Sequence, residues 1–501
     1  MSRSFVSAHR RVYGQFFTPD RVVDCCYCLV ADLLPNRPRI VDPACGDGVF
    51  LRYAAAHAIA DREQIDGCDL DSALAGGLAA AGLARVRHAD GLNPSILPAA
   101  SFDLVIGNPP YGVGASRNGG TAPASEVRFL LRALELARPG GLVALVLPSG
   151  VLANQRLYAT RAELLARRAV LAVIELPRET FRHTGASAAC SIVLLRNAPA
   201  TPGHQVFFAI PEQLDDLPNV VAAFQGKIGR PRPETRDKID CIELSPFPPR
   251  SPHFRLPQTI ELARRLDASF WQPDHRALID RLSARHPLRP LGELIDRRRD
   301  LIPGDHVRPS RGEAKGPGLT YEYYQTRQFL ATGYNYAALE RCDERAYRRL
   351  WRTAVQRHDI LVSCAGVGGA GRGRVCLITH APGASCTGDV LILRTQRPDP
   401  TFLYMFLISQ AGRSQLLRLQ NGVGTANLSA DELLQVEVPL VAEATQRDLA
   451  ARHIPIAAAH DDAMAAALRA DQPAFKRELA RAEALLARLA RQLEELLLEL
   501  P

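Results

Sequence analysis

Short apolar runs punctuated by turn residues alternate with helical patterns through the first two hundred residues. "RIVDPACGDGVFL", "QIDGCDLD", "FDLVIGNPP", "GLVALVLPSG", "LAVIELP" and "ACSIVLLR" read as strands, and Ala/Leu/Arg-rich helical stretches separate most of them. That alternation predicts an α/β fold with a doubly wound sheet. Ligands of such sheets sit at the carboxyl ends of the strands, and the conspicuous polar residues lie just after these runs. The texture changes at about residue 229. "GRPRPETRDKIDCIELSPFPPRSPHFRLP" holds seven prolines and no clear period, as a linker or surface excursion would. A short helical pattern follows to about 285. Residues 286–440 mix strands with Gly-rich turns and predict an α+β domain. In the tail, Leu479, Ala482, Leu486, Leu489, Leu493, Leu496 and Leu500 follow a 3-4 spacing. This is a coiled-coil seam, or equally an amphipathic helix packed within its own chain. The predicted domains are therefore 1–228, a linker and lead-in helix over 229–285, 286–440, and a helical tail over 441–501.

The totals fit that picture. The 501 residues are 47% hydrophobic and 23% charged, enough for two or three domains with sizeable cores. No apolar run approaches the ~20 residues of a membrane span, and the first twenty residues lack the apolar stretch of a secretion signal. Eleven cysteines are scattered without a ladder of Cys-x-x-Cys pairs, so neither a zinc site nor a disulfide framework is supported, and a cytoplasmic location is expected. Net charge is +8, and the window 281–380 alone holds 18 Lys/Arg against 10 Asp/Glu, a surplus of 8. So concentrated an excess suggests a polyanionic partner, although charge alone fits a solvated basic face as well.

Three acids end successive strand patterns. Asp42 precedes a turn containing Ala44, Gly46 and Gly48 and then a helical run; small residues there let backbone approach a ligand beneath a helix N-terminus. Asp69 lies at the spacing of an acid that grasps ribose hydroxyls on the next strand, and Asp90 follows the strand after that. Clustering three carboxylates is costly without a partner. A ligand with an amine, a ribose and an adenine amino group would supply donors for all three. The run "DLVIGNPPYGVG", Asp103 to Gly114, then ends a buried strand in a stiff corner. Its two prolines fix two φ angles and remove two donors, and Pro109 pushes Asn108 into an extended conformation.

Asp42, Asp69 and Asp90 together with Asn108-Pro109-Pro110-Tyr111 resemble the S-adenosylmethionine-dependent amino-methyltransferases, whose catalytic domain is Rossmann-like. "GQFFTPDRVVD" before the Gly-rich turn narrows the resemblance to the γ-type N6-adenine DNA methyltransferases. It implies that Phe17, Thr18 and Pro19 cover the cofactor, that Asp42 lies near its methionine portion, that Asp69 binds its ribose and that Asp90 binds its adenine amine. Gly91 stands where some members carry an aromatic. The adenine N6 lone pair is delocalised into the ring, so acceptors for both amine hydrogens favour a pyramidal nitrogen aimed at the methyl group. The Asn108 amide oxygen and the Pro109 carbonyl are those acceptors, held in advance by Pro109 and Pro110. Tyr111 offers a face for a base flipped out of the duplex, and Phe181, in "ELPRETFRHTGASAACSIVLLR", matches the residue that holds the other face.

The corner alone does not choose DNA, because protein glutamine N5-methyltransferases present a similar corner to a side-chain amide. The choice rests on residues 286–440, which resemble the target-recognition domains of Type I restriction specificity subunits through "HPLRPLGELIDRRRD", "DILVSCAGVGGAGRGRVCLI" and "NGVGTANLSADELLQVEVPL". "RLDASFWQPDH" resembles the lead-in of methyltransferases fused to such domains. The implied partner is double-stranded DNA, with Arg297, Arg298, Arg299, Arg308 and Arg311 as phosphate contacts and Arg372 and Arg374 on phosphate or base edges. Asp305 with Glu313-Ala314-Lys315 mimics a metal-dependent nuclease motif, but among Gly and Pro it reads as coincidence. No nuclease-sized stretch precedes Phe17, and a modification enzyme without a cleavage domain is expected. A catalytically idle DNA-binding specificity protein is the alternative from another class. The Leu479–Leu500 seam is expected to pair two copies or to dock a partner subunit.

Overall fold

The computed structural model of the chain describes residues 18–111, 124–181, 189–226, 253–304, 321–324, 326–338, 340–342, 353–364, 374–379, 385–386, 388–419 and 428–498. They form two compact units divided between Gln272 and Pro273. In the first, nine strands make one sheet in the order β3-β2-β1-β4-β5-β7-β6-β8-β9. Strands β1 (Ile40–Asp42), β2 (Ile65–Asp69), β3 (Val86–His88), β4 (Phe102–Gly107) and β5 (Ala137–Pro148) run parallel. Strand β7 (Cys190–Arg196) is antiparallel to both β5 and β6 (Ala169–Glu175), while β8 (Gln205–Ala209) is parallel to β6.

Side chains of successive residues point to opposite faces of a strand, and the sheet is covered on both. Ile40, Leu104, Ile106, Leu142 and Ala144 join the core beneath helices α1 (Asp20–Val30), α2 (Val49–Ala56) and α3 (Ser72–Ala80). Val41, Val105, Val143 and Leu145 face the other layer, which includes α4 (Ser125–Leu136) and α5 (Tyr158–Arg167). Burial on both faces is why these strands read as unbroken apolar runs. The predicted doubly wound α/β architecture is the one observed.

The expected linker is in part structured. His253–Pro257 forms β9, antiparallel to β8 at the sheet edge, and Leu262, Ala263, Leu266 and Ala268 are buried against the α4/α5 face. Arg161, itself buried, donates to the carbonyl oxygens of Ala263 and Arg264, and a buried Arg265–Asp267 ion pair closes the segment. The boundary therefore lies at 272/273, not at 228 or 285. A five-residue, half-exposed edge strand among prolines carries too little apolar alternation to stand out.

The second unit contains a four-stranded antiparallel sheet in the order β10-β13-β11-β12, formed by β10 (Leu301–Pro303), β11 (Ile360–Ser363), β12 (Val375–Leu377) and β13 (Val390–Leu393). Tyr321–Tyr324 forms a strand of a separate three-stranded sheet. Leu288–Pro290 pairs antiparallel with Glu437–Pro439, so the two ends of the 286–440 region meet side by side. This is the predicted α+β organisation.

The tail corrects one expectation. Helices α6 (Glu443–Leu468) and α7 (Gln472–Leu498) fold back on each other as a hairpin. Ala482, Leu486, Leu489, Leu493 and Leu497 are buried in α7, whereas Leu496 is 38% exposed. The chain's own α6, with Leu449, Ile456, Ala463 and Met464 inward, covers the seam that was expected to pair copies or dock a partner. The drift from Leu496 to Leu497 is that of a straight 3.6-residue helix against a strict 3.5-residue repeat.

Leu493→Ala should lower the stability of the second unit by about 2–5 kcal/mol through lost burial and the cavity left behind. Leu496→Ala should cost less than about 0.5 kcal/mol, as exposed substitutions do. Urea midpoints for the two variants check the phase of the seam, and equal losses would contradict the hairpin.

Candidate active site at the carboxyl edge of the sheet

Strands β1 and β4 are parallel neighbours whose chain continuations leave in opposite directions, β1 toward β2 and β3, β4 toward β5. A crevice opens at the carboxyl ends of such a pair. Asp42 ends β1, Asp69 ends β2, Asp90 follows β3 by two residues and Asn108 follows β4 directly. In strand order the edge reads Asp90, Asp69, Asp42, Asn108. Three strand spacings of roughly 4.8 Å put about 14 Å between its ends, the extent of a nucleoside carrying a short side chain. A cleft of about 690 Å³, partly open to solvent, lies along this edge, and all four residues line it.

The turn after β1 fixes the carboxylates. Gly46 N–H donates to Asp69 Oδ2 at 2.7 Å and Asp71 N–H to Oδ1 at 2.8 Å, so both Asp69 oxygens are held by backbone. Gly46 and Gly48 take positive φ of 55° and 74°, which glycine adopts without steric cost. A Cβ on Gly48 would also strike Leu78, so this residue sets helix packing and does not line the cleft. Ala44, a cleft residue, donates its N–H to Asp42 Oδ1 at 3.0 Å. Asp42 is 2% exposed. Burial pushes its pKa up to about 8 against the pull of the Ala44 bond, and neighbouring Asp69 and Asp47 push the same way. Burial likewise raises Asp69. A cationic group in the cleft would offset these costs.

Two glycines mark close approach. A Cβ on Gly107 would lie 2.5 Å from Asp42 Oδ1, and one on Gly91 would lie 1.9 Å from the Pro43 carbonyl oxygen. The position after Asp90 therefore has no room for an aromatic side chain. Arg132 of α4, 4% exposed, donates to the carbonyl oxygens of Gly91 and Leu97 and pins the Asp90 loop from below. Apolar walls come from Leu70, Phe50, Phe129 and Pro110. Sequence reasoning passed over Leu70, Phe129 and Arg132. Leu70 could have been found as the apolar residue directly after a site acid, but nothing local marks the other two.

At the corner, Asn108 Nδ2 donates to Thr18 Oγ1 at 3.1 Å, and Ser125 Oγ donates to the Pro110 carbonyl at 3.0 Å. Thr18 lines the cleft, while Pro19 caps the start of α1. Pro109 is buried behind the turn. Tyr111 and Phe181 lie in one apolar cluster at 6% and 1% exposure and do not line the cleft. The Cys190 thiol reaches the Tyr111 hydroxyl at 3.7 Å, and burial raises the Tyr111 pKa far above its usual value. Stacking on either ring requires that it first be uncovered.

Phe17, Arg308, Arg311 and Arg372 lie outside the described residues, as do Asp305, Glu313 and Lys315. In the second unit, Asp296 caps the turn Arg297–Asp300. Arg297 pairs with Asp431 and Arg299 with Asp300, and both guanidinium groups stand in solvent, which screens the pairs. Arg298 and Arg374 are exposed, and Arg374 also donates to the Phe329 carbonyl. Among the described residues no cluster of side chains is arranged to hold a metal ion, and no helix is long and apolar enough to cross a membrane.

Residues 1–217 match the family model for N-6 DNA methylases. A type II restriction enzyme and methyltransferase, RM.BcgI of Heyndrickxia coagulans, is 22% identical over 214 residues, covering 38% of this chain and 32% of that protein. The defense against restriction protein B of Escherichia phage P1 is 29% identical over 114 residues, covering 22% of this chain and 5% of that protein. The chain thus spans a third or less of these relatives. Among solved structures, the Type IIL restriction-modification enzyme MmeI in complex with DNA matches at a TM-score of 0.54 and 10% identity, covering 98% of this chain and 75% of that one. At that identity the likeness is one of fold.

Because folding lifts the Asp42 pKa from about 4 to about 8, the native state retains a proton that the unfolded chain gives up, and stability from this site falls as pH rises through that window. Asp42→Asn should therefore stabilise the ligand-free protein by an amount that grows from pH 4 to about 8 and then levels off. Thermal unfolding of both proteins across this range checks it, and a difference independent of pH would contradict it.

Proposed function

We propose that the chain, whose residues 1–217 match the family model for N-6 DNA methylases, transfers a methyl group from S-adenosylmethionine to N6 of adenine in double-stranded DNA. It serves as the modification component of a restriction-modification or related defence system, the setting named for the relative from Heyndrickxia coagulans. The observation that carries the reading is the strand-end row of Asp90, Asp69, Asp42 and Asn108 along one cleft at the β1/β4 switch point. The residues present fit the cofactor: a buried carboxylate in need of a positive partner, a backbone-fixed acid for ribose hydroxyls, and a third acid for the adenine amine. Glycine at 91 and 107 lets the Pro43 carbonyl and the Asp42 carboxylate pack directly against those backbones, which fixes the edge of the cleft.

When bound, the cofactor supplies an electrophilic methyl group on a sulfonium. The chain supplies orientation. Asn108 Oδ1 and the Pro109 carbonyl accept the two hydrogens of the target amine, and the proline-stiffened turn places them before the base arrives. No strong general base is needed, because the methylated nitrogen gives up its proton readily. The base must leave the duplex to reach the corner, and the Tyr111 and Phe181 rings take its two faces once they are uncovered.

Residues 286–440 act as the target-recognition domain, with Arg297, Arg298 and Arg299 toward phosphate, Arg374 toward phosphate or base edges, and Arg308, Arg311 and Arg372 assigned to DNA by sequence alone. The basic surplus of 281–380 supports DNA over a polypeptide glutamine as the acceptor.

Incubation with labelled cofactor and plasmid, followed by modification-sensitive sequencing, tests the reading. Asn108→Ala should lower transfer by about 10²–10³-fold, the effect of removing one preorganised hydrogen-bonding group, while duplex binding is retained. Label on a polypeptide glutamine, with every DNA unmodified, would overturn it.

A further inference from the structure

An asparagine amide presents an acceptor on one side and a donor on the other, and a half-turn about its last bond exchanges them. Only one sense serves the corner, because a donor facing an amine N–H cannot accept it. The fold holds a device that selects this sense. Asn108 Nδ2 donates to Thr18 Oγ1 at 3.1 Å across ninety residues of sequence, and Thr18 is 7% exposed. Thr18 itself is fixed by the chain around it: it directly precedes Pro19, whose carbonyl accepts the first N–H bonds of α1 from Val22 and Val23. A bond between Nδ2 and Thr18 leaves the amide oxygen as the atom available for the target amine.

A hydroxyl can also donate, and a donating Thr18 would serve the opposite amide sense equally well. It selects one sense only when its own proton is committed elsewhere. Thr18 lines the cleft with Asp42 and Asn108, so an oxygen of a bound cofactor would be an acceptor for that proton. We propose that Thr18 is a positioning residue that orients the Asn108 amide for catalysis and makes that orientation depend on cofactor occupancy. The inference rests on the methyltransferase reading above, and it differs from the sequence expectation that Thr18 simply covers the cofactor.

The full-length chain, labelled with 15N-asparagine, gives a direct readout of the contact. The Asn108 side-chain signal is identified by its loss in Asn108→Ala. Adding S-adenosylhomocysteine should slow exchange of that amide's protons with water in the wild type and in Thr18→Ser, but not in Thr18→Val. In single-turnover transfer at saturating cofactor, Thr18→Val should be about tenfold or more slower, a loss of order one hydrogen bond to the transition state. Its cofactor affinity should fall by about tenfold or less, the loss of one hydrogen bond, and Thr18→Ser should restore most of both the rate and the affinity. Thermal unfolding identifies a misfolded valine variant, in which case Thr18→Ala replaces it. Weaker cofactor binding with an unchanged saturated rate would make Thr18 a cofactor contact only, with no part in orienting Asn108, and overturn the proposal. So would amide exchange that ignores both cofactor and substitution. A wild type that methylates no DNA would sink the proposed function, while the exchange measurement would still judge the Thr18 contact.

Discussion

A carboxylate that is nearly solvent-free at the end of a central strand is an energetic liability, and Asp42 occupies that position between Asp69 and the Gly107 backbone. Hydrophobic packing on both faces of the sheet would favour an apolar residue there. The surroundings are instead shaped to tolerate the acid: one backbone donor from Ala44, no side chain on Gly107, and a Gly46 N–H bonded to the neighbouring Asp69 carboxylate. The parallel strands create the setting, because neighbouring crossovers on opposite faces leave their carboxyl ends uncovered at one point. Asp90, Asp69 and Asn108 exploit the same edge. The ligand-free fold thus stores an electrostatic cost at the place where a positively charged ligand can relieve it.

Much of this was legible from local pattern. Asp42, Gly46, Asp69, Asp90 and Asn108 each follow an apolar run, so their placement needs only the strand assignments to be right. Phe129 and Arg132 reach the cleft from α4, and no local pattern announces that a helix will deliver a wall and a buttress to a loop many residues earlier. Gly91 shows the converse: its identity was visible, but its reason, the Pro43 carbonyl beside it, is tertiary. Burial of Tyr111 and Phe181 is likewise a packing outcome that spacing does not encode.

The second unit was legible at coarser grain. Gly-rich turns and short apolar runs announced an α+β domain, and the seam in α7 was visible as a period. Which surface the seam meets is not written in that period, and a hairpin of two helices in one chain uses the same leucines as a pair of chains. The strand β9 was hidden because an edge strand needs only one buried face and its neighbours were prolines.

One feature of the second unit bears on inheritance. The region from 286 to 440 enters through Leu288–Pro290 and leaves through Glu437–Pro439, two strands bonded to each other. A stretch whose entrance and exit share one doorway can be exchanged by two genetic crossovers at those ends, provided the newcomer keeps the partners of α6, such as Thr332 for His460 and Asp399 for Gln446. Such a layout lets recombination draw a new interior from a related gene while the first unit passes on unaltered.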